Sequence, residues 1–243
     1  ASARNLNLPW QQQGAGMLDI KNLLGADVPE YIYNEIIKRM DANRAEEKEA
    51  NKQVTLTEIE NLPEDKVNYN TLYNEIQNSG NDPDITAASS VKLKDAVMGV
   101  LNDDSGEKLA NAYELIPNMT KQAWDALDDA GKLDALLNGI GEAHKNNVLT
   151  AADYNNVIVN WAIEEVKKSD INGILNVKDM LEKFAYSYGF DNSEMSKVFK
   201  ETNISIKNVD SNMSGSGVNS ITIMTNKGNV TVNVSRDITS HTV

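Results

Sequence analysis

Residues 154–166 have the sequence YNNVIVNWAIEEV, in which apolar side chains fall on more than one side of a helix. A helix at the surface of a globular protein has one apolar stripe and one polar face, whereas a helix that is apolar on several sides is buried among other elements. The stretch therefore predicts the central helix of a bundle. The rest of the chain must then supply the helices that surround it.

Other parts of the chain show helices with a single apolar stripe. Apolar residues at i, i+3 and i+4 spacing, which predict amphipathic helices, occur at residues 32–40, 93–101, 124–140 and 177–188. We expect these helices to share one core with the central helix. Residues 41–53, DANRAEEKEANKQ, continue the first helix with almost no apolar face, so this part is solvated or packs against a partner.

The pattern changes after residue 203. The segments SITIMT and VTVNVS alternate polar and apolar residues around NKGN, which predicts a β-hairpin. Because a lone hairpin is marginally stable in water, it must pack on the helices, pair with residues 204–209 (ISIKNV), or pair with another chain. The chain is thus predicted to be mainly α, an irregular multi-helix array or bundle with a small C-terminal β-hairpin or sheet.

These changes of pattern suggest three regions. Residues 1–28 are polar, contain Trp10, and predict an extended arm. Residues 29–203 form the helical domain. Residues 204–243 form the β-hairpin segment, and the Gly/Ser-rich sequence VDSNMSGSG is interpreted as a linker before the hairpin.

Composition excludes several classes of protein. The chain of 243 residues has no cysteine, which excludes thiolate-ligated zinc, iron–sulfur clusters and thiol nucleophiles. Its formal net charge of −13 argues against nucleic acid or anionic lipid as a partner. No stretch approaches the roughly 20 apolar residues of a membrane span, so stable membrane insertion is not expected. Residues 1–19 also lack the pattern of a cleavable signal.

A possible metal site lies at residues 168–179, KSDINGILNVKD, which resemble the calcium loop of an EF-hand. The candidate ligands are Asp170, Asn172 and Asp179. The first ligand position holds Lys168 rather than Asp, and the last holds a short Asp rather than a bidentate Glu. We therefore expect no useful calcium affinity, and an EF-hand-like calcium-binding module is retained only as an alternative.

The same stretch has a simpler interpretation as the start of a helix. An aliphatic residue followed by Thr or Asn recurs along the chain, and a Thr or Asn side chain at this position can cap a helix by accepting a backbone N–H. This pattern predicts helix N-caps at Thr57, Thr86, Thr120, Thr150 and Asn176.

The sequence contains no recognisable catalytic motif. Neither of its two histidines, His144 and His241, has a Ser or Cys partner in a nucleophile motif, and both are expected at the surface. Adjacent carboxylates point in different directions on a helix and are poor acid/base pairs; they occur at residues 103–104, 128–129 and 164–165. The chain is therefore predicted to be non-enzymatic and without a cofactor, with a carboxylate-dependent hydrolase as an alternative.

Three segments resemble a known family. These are IKRMDANRAEEKEANKQ (37–53), NLPEDKVNYNTLYNEIQNSGNDPDIT (61–86) and VKLKDAVMGVLNDDSGEKL (91–109). In order and composition they resemble the hydrophilic translocator and filament proteins of bacterial type III secretion systems.

That resemblance implies an exported structural protein, secreted or at the bacterial cell surface, with a role in virulence. It would self-associate, or bind other assembly subunits or a dedicated chaperone. Members of the family end in a long amphipathic helix, whereas this chain ends in a hairpin. A virion structural protein would share the same composition and is kept as an alternative.

Assembly is also expected from segments that a monomer has difficulty burying. They are the arm around Trp10, the helix of residues 41–53 and the hairpin of residues 221–234. An exposed strand edge offers unpaired main-chain groups to another chain. The predicted interaction residues are Trp10, Ile221, Ile223, Val230, Val232 and Val234.

Overall fold

The computed structural model describes residues 22, 25, 27–200, 202–213 and 218–235. The chain divides into two compact units, residues 1–58 and 59–243. The described part is mainly helical and ends in a small antiparallel sheet, which confirms the predicted fold class. The predicted arm, residues 1–28, lies almost wholly outside the described residues, and Trp10 and His241 lie outside them as well.

The described α-helices are α1 (Glu30–Glu60), α2 (Tyr69–Asn78), α3 (Pro83–Leu101), α4 (Lys121–Asp125), α5 (Asp129–Lys145), α6 (Ala151–Lys168), α7 (Ile171–Tyr188) and α8 (Met195–Phe199). Short 3-10 helices occupy Glu64–Lys66, Glu107–Leu115 and Asn192–Glu194. The strands are β1 (Ile206–Met213), β2 (Val218–Thr225) and β3 (Gly228–Ser235).

Helix α6 is the central helix of the second unit, as its sequence predicts. It packs against α3, α5, α7 and α8, and so it has neighbours on several sides. Its buried residues are Tyr154, Val157, Ile158, Val159, Trp161, Ala162 and Val166. Burial on several faces explains why this stretch lacks a simple polar face.

The stripe at residues 124–140 does not form one helix. Helix α4 ends at Asp125 and α5 begins at Asp129. Between them, Asp128 caps α5, its side chain accepting the N–H of Gly131 at 2.7 Å. An N-cap residue has extended backbone geometry, so it separates two helices even where the apolar period continues across them.

The predicted helix caps are partly confirmed. Thr120 caps α4 and Thr150 caps α6, where Thr150 Oγ1 accepts the N–H of Asp153 at 3.2 Å. The predictions at Thr57, Thr86 and Asn176 are wrong, because all three lie inside helices. Helices α3 and α7 are capped instead by aspartates located upstream, Asp82 and Asp170.

The C-terminal sheet has the order β1-β2-β3 with both pairs antiparallel. The hairpin of β2 and β3 is confirmed, and β1 includes most of the ISIKNV segment. Interpreting VDSNMSGSG as a linker was wrong for its first half, because β1 continues to Met213. The second half of β1 is mostly polar, so its composition does not predict a strand. Pairing with β2 holds it extended.

Candidate interaction surface

The C-terminal sheet has one apolar and one polar face. Cross-strand partners in a sheet point to the same side, and the register pairs Val209 with Ile223 and Ile223 with Val230. The side that we call the apolar face carries Val209, Ile221, Ile223, Val230 and Val232, together with Ser211. The opposite side carries Asn208, Asp210, Asn212, Ser220, Thr222, Asn229, Thr231 and Asn233, with Met224 as its one apolar residue among those whose side chains the structure describes.

The apolar face remains accessible to solvent. Val209 is 53% exposed and Val232 is 48% exposed, although both belong to residue types that are usually buried. The other three apolar residues of this face, Ile221, Ile223 and Val230, are each half-buried. Single exposed apolar residues are common, whereas a contiguous apolar patch of a few hundred Å² is often functional.

The two edges of the sheet differ in how well they are protected. Edge strands are blunted by bulges and charged residues, which discourage pairing with another chain. On β1 the pairing register shifts between Ile206 and Asn208, and the strand carries Lys207 and Asp210. Strand β3, GNVTVNVS, carries no ionisable residue and no proline, and its pairing to β2 is regular. The start of β3 contacts α7, where Asn172 donates to the carbonyl of Asn229, so the part of this edge open to another strand lies beyond Asn229.

One end of the sheet is fixed to the helices by the turn between β2 and β3. Ile171 donates its N–H to the carbonyl of Lys227 at 2.9 Å. The Lys227 ammonium lies 3.4 Å from the carbonyl of Val166, at the C-terminal end of α6 where a cation is favourable. These contacts hold the turn on the start of α7. Strand β3 also contacts α7, and Val209 and Val232 are the apolar residues of the face that stay most exposed.

The contact between the turn and α7 lies at the predicted calcium loop. Asp170 is the N-cap of α7 and accepts the N–H of Gly173 at 2.9 Å, and Asn172 Nδ2 donates to the carbonyl of Asn229 at 3.5 Å. Asp179 lies within the same helix, about 13 Å further along its axis at 1.5 Å per residue. The three candidate ligands are not brought together. No cluster of three His, Cys, Asp or Glu occurs among the residues that the structure describes.

Replacing Asp170 by alanine should lower the free energy of unfolding by about 1 kcal/mol, because the first turn of α7 loses its cap. Asn176→Ala is the matched control, since Asn176 is exposed and lies inside the helix, where alanine costs less than about 0.5 kcal/mol or stabilises slightly. Urea unfolding measures both values. Equal losses for the two variants, or a loss at Asp170 that appears only with calcium and vanishes with chelator, would contradict this assignment.

The predicted interaction residues are placed together only in part. Ile221, Ile223, Val230 and Val232 share the apolar face. Val234 lies in β3 and pairs with Asn219, and the structure describes only its backbone. Val209, which also lies on the apolar face, is not among the predicted interaction residues. The alternation of Ile204, Ile206 and the polar residues between them was a signal, but the bulge interrupts the period before Val209.

The surface location expected for His144 is wrong. Its ring is half-buried, stacks on Tyr154 with the ring centroids 4.9 Å apart, and places Nδ1 2.8 Å from the carbonyl of Leu149. These contacts tie the turn between α5 and α6 to the core. A packing role therefore accounts for this histidine.

The adjacent carboxylates have structural partners. Asp103 accepts the backbone N–H of Lys108 at 2.8 Å and the hydroxyl of Ser105, and these hydrogen bonds hold the pKa of Asp103 below its ordinary value. Asp128 caps α5, and Glu164 pairs with Lys167 at 3.5 Å. Each pair thus contains a residue that stabilises a turn, a cap or a helix surface.

Comparisons of the chain with protein-family models, curated proteins and solved structures found no match. The resemblance to type III secretion proteins therefore stays a prediction. Among the described helices, none combines the length and apolar character that crossing a membrane requires.

Proposed function

We propose that this chain is a non-enzymatic assembly protein that associates with further copies of itself through its C-terminal sheet. The observation that carries the proposal is the exposed apolar face, which the turn at Lys227 holds on helices α6 and α7. The uncharged β3 edge supports it independently. Both features belong to the same three strands.

Local charge does not oppose self-association at the sheet. The whole chain has a net charge of −13, which would keep most of its surface apart from a second copy. Residues 204–235 contain only Lys207, Asp210 and Lys227 as charged residues. A second copy therefore meets nearly neutral surface here.

The size of the sheet limits the strength of a contact between two apolar faces. Three strands of eight residues present a face about 14 Å wide and about 26 Å long, or roughly 370 Å². Two such faces bury less than the roughly 1,200 Å² that a stable interface needs. We expect the face contact alone to be weak, with a dissociation constant on the order of 10 µM or higher.

Pairing of β3 with β3 of another copy provides the second contact. Antiparallel pairing of two identical edges is two-fold symmetric, as is packing of two identical faces. A subunit with two different two-fold contacts does not close after one dimer, because each dimer retains free surfaces for the next. The proposed product is therefore larger than a dimer: a closed tetramer if the two axes intersect at right angles, and an open assembly if they do not.

Blocking the β3 edge should stop this growth. In a variant carrying Asn229→Lys and Asn233→Lys, two-fold pairing would bring like charges together, so we expect dimers through the face but no larger species. Asn208→Lys and Asn212→Lys place the same charges on β1 and serve as the control. Sedimentation velocity over about 1–200 µM resolves the species, because this range spans the expected dissociation constant. Native protein that remains monomeric throughout would overturn the proposal.

On the resemblance of residues 37–53, 61–86 and 91–109, we place this assembly outside a bacterial cell, as part of a secretion apparatus. The absence of cysteine is compatible with this setting, because folding then does not depend on the redox state of the compartment.

A further inference from the structure

A separate feature of the second unit is a cavity of about 310 Å³ between α3 and the 3-10 helices Glu64–Lys66 and Glu107–Leu115. Its apolar lining consists of Val67, Ala96, Val100, Ala112 and Leu115. All of these except Val100 are buried from solvent. The cavity thus has a preformed apolar floor, and its volume is at the low end of the range for small-molecule sites.

One end of the cavity is closed by an ion pair. Lys108 Nζ lies 2.9 Å from Glu64 Oε1, and both side chains are about half exposed. Gly99 on α3 permits this arrangement, because a Cβ at that position would overlap the Glu64 carboxylate. The backbone of Lys108 is fixed by its hydrogen bond to Asp103. Gly99 and Asp103 therefore help to fix the ion pair that closes this end of the cavity.

The lining also contains carboxylates without a matching cation. Glu114 is half-buried and makes no ion pair among the described residues; its carboxylate receives a hydrogen bond from Tyr113 Oη at 3.5 Å. Asp65 also lines the cavity. Lys108 is the one cation among the described lining residues, and Glu64 already balances its charge. A carboxylate beside an apolar floor favours a cationic partner.

We propose that this cavity binds a small organic cation, namely a primary amine with an apolar body of about six to ten carbon atoms, a size that suits a cavity at the low end of the ligand range. The ammonium group pairs with Glu114 and Asp65. The hydrocarbon body lies on the floor formed by Val67 and Leu115. This site is independent of the C-terminal sheet, so it adds a ligand to the assembly proposed above.

Three probes of matched size test the ligand class. They are 2-phenylethylamine, 2-phenylethanol and phenylacetate, which differ mainly in charge. Titration of ¹⁵N-labelled protein at pH 7 should show saturable shifts of cavity amides with the amine, with a dissociation constant on the order of 1 mM, as ligand efficiency suggests for so small a molecule. The alcohol should bind about tenfold more weakly, and phenylacetate should not saturate.

Glu114→Gln tests the residue assignment. It should weaken the amine about tenfold and leave the alcohol unchanged, because it removes a charge but little volume. Asp65→Asn should act in the same direction and, being at an exposed position, does not risk the core. Glu107→Gln, outside the lining, should change affinity less than about twofold.

Several results would overturn the proposal. They are equal binding of the amine and the alcohol, phenylacetate binding as tightly as the amine, unchanged amine affinity in both Glu114→Gln and Asp65→Asn, or no saturable shift of cavity amides up to about 10 mM amine, tenfold above the expected dissociation constant.

Discussion

Replacing Phe184 by alanine is expected to lower the free energy of unfolding of the second unit by about 3–5 kcal/mol, because the truncation leaves a cavity in a closed core. Phe184 is fully buried on α7, and its ring meets the ring of Trp161 on α6 edge-to-face, with centroids 6.2 Å apart. The substitution therefore removes both burial and an aromatic contact between two central helices. Urea unfolding followed by tryptophan fluorescence measures the loss.

Tyr186→Ala is the control for this prediction. Tyr186 lies on the same helix, is also a large aromatic residue, and is 95% exposed. Its replacement should change the free energy of unfolding by less than about 0.5 kcal/mol, because no core contact is lost. Similar losses for the two variants, or a loss at Phe184 below about 1 kcal/mol, would contradict the packing of α6 against α7.

The helical core could be predicted because buried helix positions appear in the sequence as regularly spaced apolar residues. In α7 the buried residues Val177, Leu181 and Phe184 follow one helix face, and in α6 the apolar residues spread over several faces. Each pattern depends only on where a residue lies on its own helix. Neighbouring helices need not be known to recognise it.

Helix starts could be predicted less well because a threonine has two local options. Thr150 caps α6, whereas Thr57 lies inside α1 and donates its hydroxyl to the carbonyl of Gln53 at 2.9 Å. Both bonds satisfy a backbone group close in sequence. The choice depends on the residues further upstream, as at α7, where Asp170 starts the helix before Asn176 is reached.

The candidate surface was predictable in its alternating residues but not in its boundaries. Ile221, Ile223, Val230 and Val232 follow from period-two alternation in the hairpin. The contribution of Val209 and the protection of the β1 edge depend on pairing between strands and on a bulge. The cavity lined by Glu64 and Glu114 depends on segments far apart in sequence, so no local pattern could reveal it.

The second large effect is expected at the apolar face. Val209→Lys should weaken the face contact at least about 100-fold, because a lysine at this position would be buried against the second copy without a partner. The fold itself should persist, since Val209 is half exposed in the free chain. Far-UV circular dichroism and urea unfolding check that it does.

Asn212→Lys provides the matched comparison. Asn212 is on the same strand, is exposed, and points to the opposite face, so the added charge is the same while the apolar face is intact. A loss of association common to both variants would show a general charge effect. A loss confined to Val209→Lys would locate the contact on the apolar face.

Sedimentation velocity of the native protein, Val209→Lys and Asn212→Lys at about 200 µM, well above the expected dissociation constant, tests the central claim most directly. We expect species larger than a dimer for the native protein and for Asn212→Lys. For Val209→Lys we expect no species beyond the dimer that β3 pairing permits. A native protein that sediments only as a monomer, or a Val209→Lys variant that assembles as far as the native protein, would contradict assembly through the C-terminal sheet.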